Sequence, residues 1–211
     1  MAVTPTTVRE YDRAAPGLDA TRTAVFELGC FWGPEASFAA LDGVVRTAVG
    51  YAGGDRSDPT YHDLGAHSEV VRVAYDPETI RYRELLAHAV DAHDLDRPSQ
   101  PDKRQYHRLV LLDSERHAEA LEAFLADRGL DRNTVGARID ELNEFVPAEP
   151  YHQKYGLRGK RWVTDVFDEA GYGNRQFRRS AAAAKLHAHV AGYDVDVPFI
   201  GARSRELSER R

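Results

Sequence analysis

TAVFELGCFWGPEASFAALDGVVRTAVGYAGG, residues 23–54, sets the order of the first elements of the domain. TAVFEL is a short run rich in β-formers. From Phe31 to Leu41 apolar residues fall at helical spacing (Phe31, Phe38, Leu41), and Pro34 sits in the first turn, where its missing N–H costs nothing. After Asp42-Gly43, the β-branched stretch VVRTAVGYAGG closes on Gly53-Gly54. The stretch reads as strand, tight turn, helix, strand, with Cys30 where the first strand hands over to the helix.

Working outward, SEVVRVAYD at 68–76 alternates like a half-buried strand and is expected to pair with the strand before it. YRELLAHAVDAH has helical periodicity, HRLVLLD reads as another buried strand, and SERHAEALEAFLADRG reads as a helix capped at Ser114 and stopped at Gly129. Paired consecutive strands that alternate with helical crossovers predict an α+β two-layer sandwich, with a mixed or antiparallel sheet and a ferredoxin-like βαββαβ core. Residues 1–22 carry Pro, Thr and Asp without apolar periodicity and read as a flexible or peripheral arm. Residues 23–160 are expected to form the domain that would carry any catalytic site. Residues 161–211 are expected as its helical C-terminal extension, which includes AAAAKLHAHVAGY and ends in the charged tail SRELSERR.

At 211 residues and 42% hydrophobic content, the chain can bury a sizeable core and enclose a site. Its formal charge of -6 is spread among interspersed Lys, Arg, Asp and Glu, with no basic stripe interleaved with aromatics, so a nucleic-acid partner is not expected. No apolar run approaches the roughly 20 residues that cross a bilayer, and the N-terminus lacks the basic-then-apolar order of a secretory signal. A cytoplasmic protein without a membrane partner is the expectation. Cys30 is the only cysteine, so there is no disulfide framework within the chain.

Glycine flanks the triad Cys30-Phe31-Trp32 on both sides, which permits close approach of a ligand. A cysteine at a helix start faces unpaired N–H groups, and the dipole end, worth up to about 2 kcal/mol, is expected to lower its pKa by about 1 from the usual ~8.5. That would supply nucleophilic thiolate near neutrality. Read without that context, Cys30 is a small buried hydrophobe and Phe31 and Trp32 are plain core.

GCFWGPE resembles the GCFWG motif of the A-type peptide methionine sulfoxide reductases, with its cysteine, Phe and Trp at Cys30, Phe31 and Trp32. GVVRTAVGYAGG followed by DPTYHDL is similar to a second stretch of that family and places its active-site tyrosine at Tyr61. HSEVVRVAYDP is similar to a third and places its acidic residue at Glu69. AHDLDRPSQPDKRQYHR resembles the region carrying the family's aspartate and second tyrosine, here Asp102 and Tyr106, and AEPYHQKY resembles its AE-YHQ-Y segment. The resemblance runs over about residues 23–155 and fades beyond Tyr155.

The resemblance implies reduction of methionine S-sulfoxide, protein-bound or free, by attack of Cys30 on the sulfoxide sulfur. The residue types suit that chemistry, which needs a nucleophile, an acid and donors to the sulfoxide oxygen. Cys30, Glu69, Tyr61, Tyr106 and Asp102 supply that set, and Phe31 and Trp32 form an apolar wall for the methyl group. To donate a proton near pH 7, Glu69 must be raised from ~4.3 by burial and by the nearby thiolate. The implied product on the enzyme is a Cys30 sulfenic acid, with no cofactor or metal. Many family members resolve that acid with further cysteines. In this chain an external thiol would do so, whether thioredoxin, glutaredoxin or a low-molecular-weight thiol, acting on an expected monomer.

The loop between Tyr61 and Glu69 is shorter than the family's, and its QYRS has become QYHR. These departures leave room for a divergent relative that acts on a small-molecule sulfoxide or binds without turnover. Two other readings compete. A cysteine hydrolase would use His67 or His93 as base, and a metal-binding module would use His62, His67, His88 and His93, although their spacing follows no ligand pattern.

Overall fold

The structure, a computed structural model, describes residues 2–93, 108–130 and 138–200. The elements run α1 (Pro5–Ala14), β1 (Arg22–Leu28), α2 (Trp32–Ala40), β2 (Val44–Ala52), β3 (Ser68–Tyr75), α3 (Tyr82–His93), β4 (Arg108–Leu112) and α4 (Glu115–Asp127). They continue with β5 (Arg138–Glu141), β6 (Phe145–Pro147), α5 (Tyr155–Arg158), α6 (Arg161–Glu169), α7 (Asn174–Arg179) and α8 (Ala181–Val190).

The strands form one sheet in the order β5-β4-β1-β3-β2-β6. β3 lies antiparallel between β1 and β2, and β4 pairs antiparallel with the far side of β1. That is the βαββαβ arrangement the sequence predicted, with the α+β class. β5 extends it in parallel beside β4, and β6 adds an antiparallel edge on β2. Tyr51 pairs with Glu69, which puts the end of β2 and the start of β3 at the same edge as the Cys30 junction.

Phe26, Val49, Tyr51, Val71 and Val73 point from the sheet into the main core, where Phe38 of α2, Leu85 and Leu86 of α3 and Phe124 of α4 meet them. Phe26 and Phe38 stack at 5.0 Å. α4 has the expected caps: the Ser114 hydroxyl accepts from the His117 N–H, and Gly129 (φ 68°) ends the helix while the Leu130 N–H reaches back to the Leu125 carbonyl.

A second core surrounds α8. The alanines at 181–184 are all buried, and their small side chains let α8 pack closely on α2. Leu157, Val163, Phe167 and Phe177 join this core, so that among the described residues the C-terminal extension folds α6, α7 and α8 onto the domain.

The flexible arm expected over 1–22 is corrected here. Residues 5–14 form α1, which opens with Pro5 and is capped by a reciprocal hydrogen-bond pair between Thr4 and Thr7. Val8 is fully buried, Tyr11 meets Phe199 edge to face at 4.8 Å, and Asp12 accepts from the Tyr172 hydroxyl and the Ala182 N–H. The helices it packs against, α6 and α8, lie roughly 150 residues or more away in sequence, so a local pattern could not reveal them. β1 accordingly begins at Arg22. Among the described residues no helix is long and apolar enough to cross a membrane.

Candidate active site

β1 ends at Leu28, and Gly29 adopts φ 80°, a conformation that a side chain would strain. The chain thereby turns sharply into α2 and leaves Cys30 exposed at the mouth of the turn. Phe31, the N-cap of α2, is fully buried, and its N–H donates to Glu69 Oε2 at 3.2 Å. Glu69 comes from β3, is 1% exposed, and its second oxygen has no hydrogen-bond partner. Burial raises the Glu69 carboxyl to about 7, with the Phe31 N–H pulling the other way.

Cys30 departs from the sequence expectation. Burial pushes its thiol up, the Trp32 N–H lowers it, and repulsion from Glu69 raises it further, so the net direction is upward. The helix terminus is present, but a carboxylate behind the thiol and partial burial outweigh it.

Around this pair lies a ring of aromatics centred on His152, which is buried. The indole N–H of Trp32 donates to His152 Nδ1 at 3.2 Å, so Nδ1 is the unprotonated nitrogen. The rings of Phe31, Tyr61 and Tyr151 lie 5.2, 4.7 and 4.1 Å from that of His152. Burial lowers His152 and keeps it neutral, with Glu149 acting against this and His62 adding to it. Tyr155 stacks on Trp32 at 3.8 Å, nearly parallel, and both Tyr151 and Tyr155 are exposed at the rim.

Glu149 fastens the cluster. It accepts from the Tyr51 hydroxyl at 2.7 Å and from the Tyr61 N–H at 3.0 Å. Burial works to raise Glu149, but those two donors and the nearby His152 hold it below the usual carboxylate range. Tyr51 is correspondingly raised, by burial and by its bond to Glu149. Gln153 fixes the same loop to β2, donating to the Val49 and Ala148 carbonyls and accepting from the Val49 N–H.

The structure thus brings Cys30, Phe31, Trp32, Tyr61 and Glu69 together. Asp102 and Tyr106 lie outside the described residues. His152, Glu149, Tyr51 and Tyr155 had no assigned role in the sequence reading, although three of them stand in AEPYHQKY. His67, weighed as a hydrolase base, instead places Nδ1 3.1 Å from the Leu64 carbonyl in a turn packed against Gly54, where any side chain would collide with it. Among the described residues no group of three or more His, Cys, Asp or Glu side chains converges as a metal site.

A thiol at the start of a helix with a protonatable carboxyl behind it, set in an aromatic wall on an α+β sandwich, is an arrangement suited to redox chemistry at sulfur. The profile of the family described as peptide methionine sulfoxide reductase matches residues 22–183, past the point at Tyr155 where the motifs alone fade. The chain is 37% identical over 172 residues to the peptide methionine sulfoxide reductase of Drosophila melanogaster, covering 81% of this chain and 68% of that protein. It is 38% identical over 187 residues to peptide methionine sulfoxide reductase A5 of Oryza sativa subsp. japonica, covering 84% and 71%. Its fold is similar to that of methionine sulfoxide reductase A of Corynebacterium diphtheriae, with a TM-score of 0.56, 32% identity, and coverage of 69% and 77%. The chain belongs to the peptide methionine sulfoxide reductase family, in its A type, and is an oxidoreductase that reduces methionine sulfoxide.

Proposed function

We propose that Cys30 attacks the sulfur of a methionine S-sulfoxide while Glu69 protonates the departing oxygen. The observation that carries this is the buried Glu69 carboxyl behind Cys30, held to about 7 with one oxygen left without a hydrogen-bond partner. With one proton shared between the two groups, the reactive arrangement places it on Glu69 and leaves Cys30 as thiolate. Attack joins Cys30 Sγ to the substrate sulfur; the protonated oxygen then passes from that sulfur to Sγ as the sulfur–oxygen and Sγ–sulfur bonds break, so the thioether leaves and Cys30 is left as a sulfenic acid, two electrons having passed from the thiol to the substrate. Phe31 and Trp32 wall the methyl group, while Tyr61, with Tyr106 and Asp102 carried over from the family pattern, orients the oxygen. The exposed rim of Tyr151 and Tyr155 supports a methionine sulfoxide presented by a polypeptide.

With no second cysteine in the chain, two external thiols return Cys30 to its reduced state and leave as a disulfide, with release of water. Thioredoxin, glutaredoxin or a low-molecular-weight thiol fits this need, in a reducing cytoplasmic setting and with the enzyme acting as a monomer. The test is a single turnover without reductant, using a blocked S-methionine sulfoxide, with Cys30→Ser alongside. One equivalent of thioether and one added oxygen on the wild-type mass, trapped by dimedone, are expected. An unchanged mass with no thioether would sink the reading.

A further inference from the structure

Far from Cys30, seven arginines gather on one side of a chain whose net charge is negative. A groove of about 560 Å³ is lined by Arg9 and Arg13 of α1, Arg46 of β2, and Arg175 and Arg179 of α7. A second hollow of about 200 Å³ shares Arg46 and Arg179 with it and adds Arg72 and Arg178. Among the described residues one carboxylate, Asp12, lines the pair of hollows; it attracts Arg46, and both its oxygens accept, from the Tyr172 hydroxyl and the Ala182 N–H.

Among the described residues none of the seven is ion-paired with a carboxylate. Arg46 donates to the Arg179 and Pro16 carbonyls, Arg9 to the Ala170 carbonyl, and Arg72 lies 4.2 Å over the Phe145 ring. The Nε of half-buried Arg178 has no hydrogen-bond partner. Burial first, and then mutual repulsion, lowers Arg72 and Arg178, each facing neighbouring arginines. Guanidinium groups gathered this closely repel one another, and an anion from outside the chain would relieve that repulsion. α1, which supplies two of the seven, stands outside the residues matched by the family profile.

We infer that this groove binds a small, multiply phosphorylated anion, held by the planar forks of Arg9, Arg13, Arg46, Arg175 and Arg179. Guanidinium forks pair with phosphate oxygens bidentately, and a concavity of this volume falls in the range that encloses a small molecule. Tyr172 also lines this groove. The site is separate from the reductase centre: Arg46 and Tyr51 lie on one strand roughly 17 Å apart at about 3.3 Å per residue.

The test titrates the full chain with inorganic tripolyphosphate, ATP and a ten-residue polyglutamate, by calorimetry at low and at physiological salt. The variant Arg13→Gln/Arg175→Gln removes two exposed charges, Arg83→Gln on α3 serves as control, and sulfoxide reduction reports that each variant is folded. Tripolyphosphate and ATP are expected to bind, more weakly as salt rises, with about tenfold or greater loss in the double variant and none in the control. Failure of both phosphate probes to bind, or binding that the double variant leaves unchanged, overturns the proposal. Binding of polyglutamate alone overturns it in favour of an acidic polypeptide.

Discussion

Two buried glutamates, 34 residues apart in sequence, serve opposite ends. Glu35 on α2 is fully buried and fully answered: it accepts from the Thr47 hydroxyl at 3.3 Å and from the Lys154 N–H at 2.8 Å, and it pairs with Lys154 Nζ at 3.0 Å. Lys154 in turn donates to the Thr47 and Arg178 carbonyls, and His187 Nδ1 stands 3.7 Å from the same carboxylate. Glu69 is equally hidden, yet it receives one backbone N–H and leaves an oxygen without a hydrogen-bond partner. A buried carboxylate with both oxygens hydrogen-bonded and a cation beside it fixes structure, whereas one with an oxygen left unmet is held near its own neutral form and can pass a proton. The Glu35 network also holds Lys154 at φ 52°, the only positive φ outside glycine among the described residues, and so sets the turn that aims His152 at the site.

The comparison is broken most forcefully at Glu69. Glu69→Gln keeps the shape and removes the acid, and is expected to lower kcat by about 10²–10⁴-fold, read in a single-turnover assay at pH 7. The same change should stabilise the fold. A carboxyl raised to about 7 in the folded chain binds more protons folded than unfolded between about 4.5 and 7, so the wild type loses stability as pH rises through that window. The variant, which cannot ionise there, should gain about 3 kcal/mol over wild type at pH 8 and nothing at pH 4 by denaturant unfolding. A variant that is inactive and destabilised at both pH values would place Glu69 with the structural carboxylates.

Glu35→Gln is predicted to do the reverse. It strands Lys154 as an uncompensated buried charge and should cost about 3–5 kcal/mol of unfolding free energy. Adding Lys154→Met to it should restore much of that loss, a coupling visible in a double-mutant cycle. kcat measured on the fraction still folded should stay within a few-fold of wild type. Equal losses for the single and double variants would mean that Glu35 and Lys154 do not act as a pair.

Most of the fold was readable because its signals are local: the run of β-formers in β3, the Ser114 and Gly129 caps, and the turn at Gly29 each lie within a few residues, although β3, expected half-buried, is a central strand buried at all but one position. The nucleophile, its aromatic neighbours, Tyr61 and Glu69 were readable from motifs that resemble a family. What escaped depends on partners far along the chain. The Cys30 thiol is raised first by burial and then by Glu69, 39 residues away, and His152 Nδ1 accepts from Trp32, 120 residues away. No spacing rule announces such contacts. α1 was missed for the same reason, although Thr4-Pro5 is a capping signal, because its buried face meets residues near the other end of the chain.

pH sharpens the contrast from the other side. His152 and His187 are both lowered, burial first, so below about 6.5 the unfolded chain takes up protons that the folded chain refuses, and stability falls as pH drops. The expected difference lies in activity. Protonating His152 removes the acceptor of the Trp32 indole N–H, whereas His187 stands beside Glu35. His152→Asn, whose amide oxygen can still accept, should retain more of the reductase rate at pH 7 than His152→Leu by about three- to tenfold, a ratio set by one hydrogen bond. Equal rates would remove the indole bond from the account of the site.

The smallest expected effect is at the rim. Tyr155 stacks on Trp32 at 3.8 Å and 6° while its own ring is 47% exposed, so it holds one wall of the site without closing it. Aromatic pairs of this kind are worth about 0.5–1.5 kcal/mol beyond the area they bury. Tyr155→Ala should therefore free the indole and raise KM for a methionine sulfoxide peptide by about three- to tenfold, with kcat little changed, because Cys30 and Glu69 are untouched. Tyr155→Phe keeps the ring face and should behave as wild type. If Tyr155→Ala lowered kcat and left KM alone, the stacked pair would be orienting the reacting sulfur, and the boundary between the rim and the chemical centre would have to be drawn outside Tyr155.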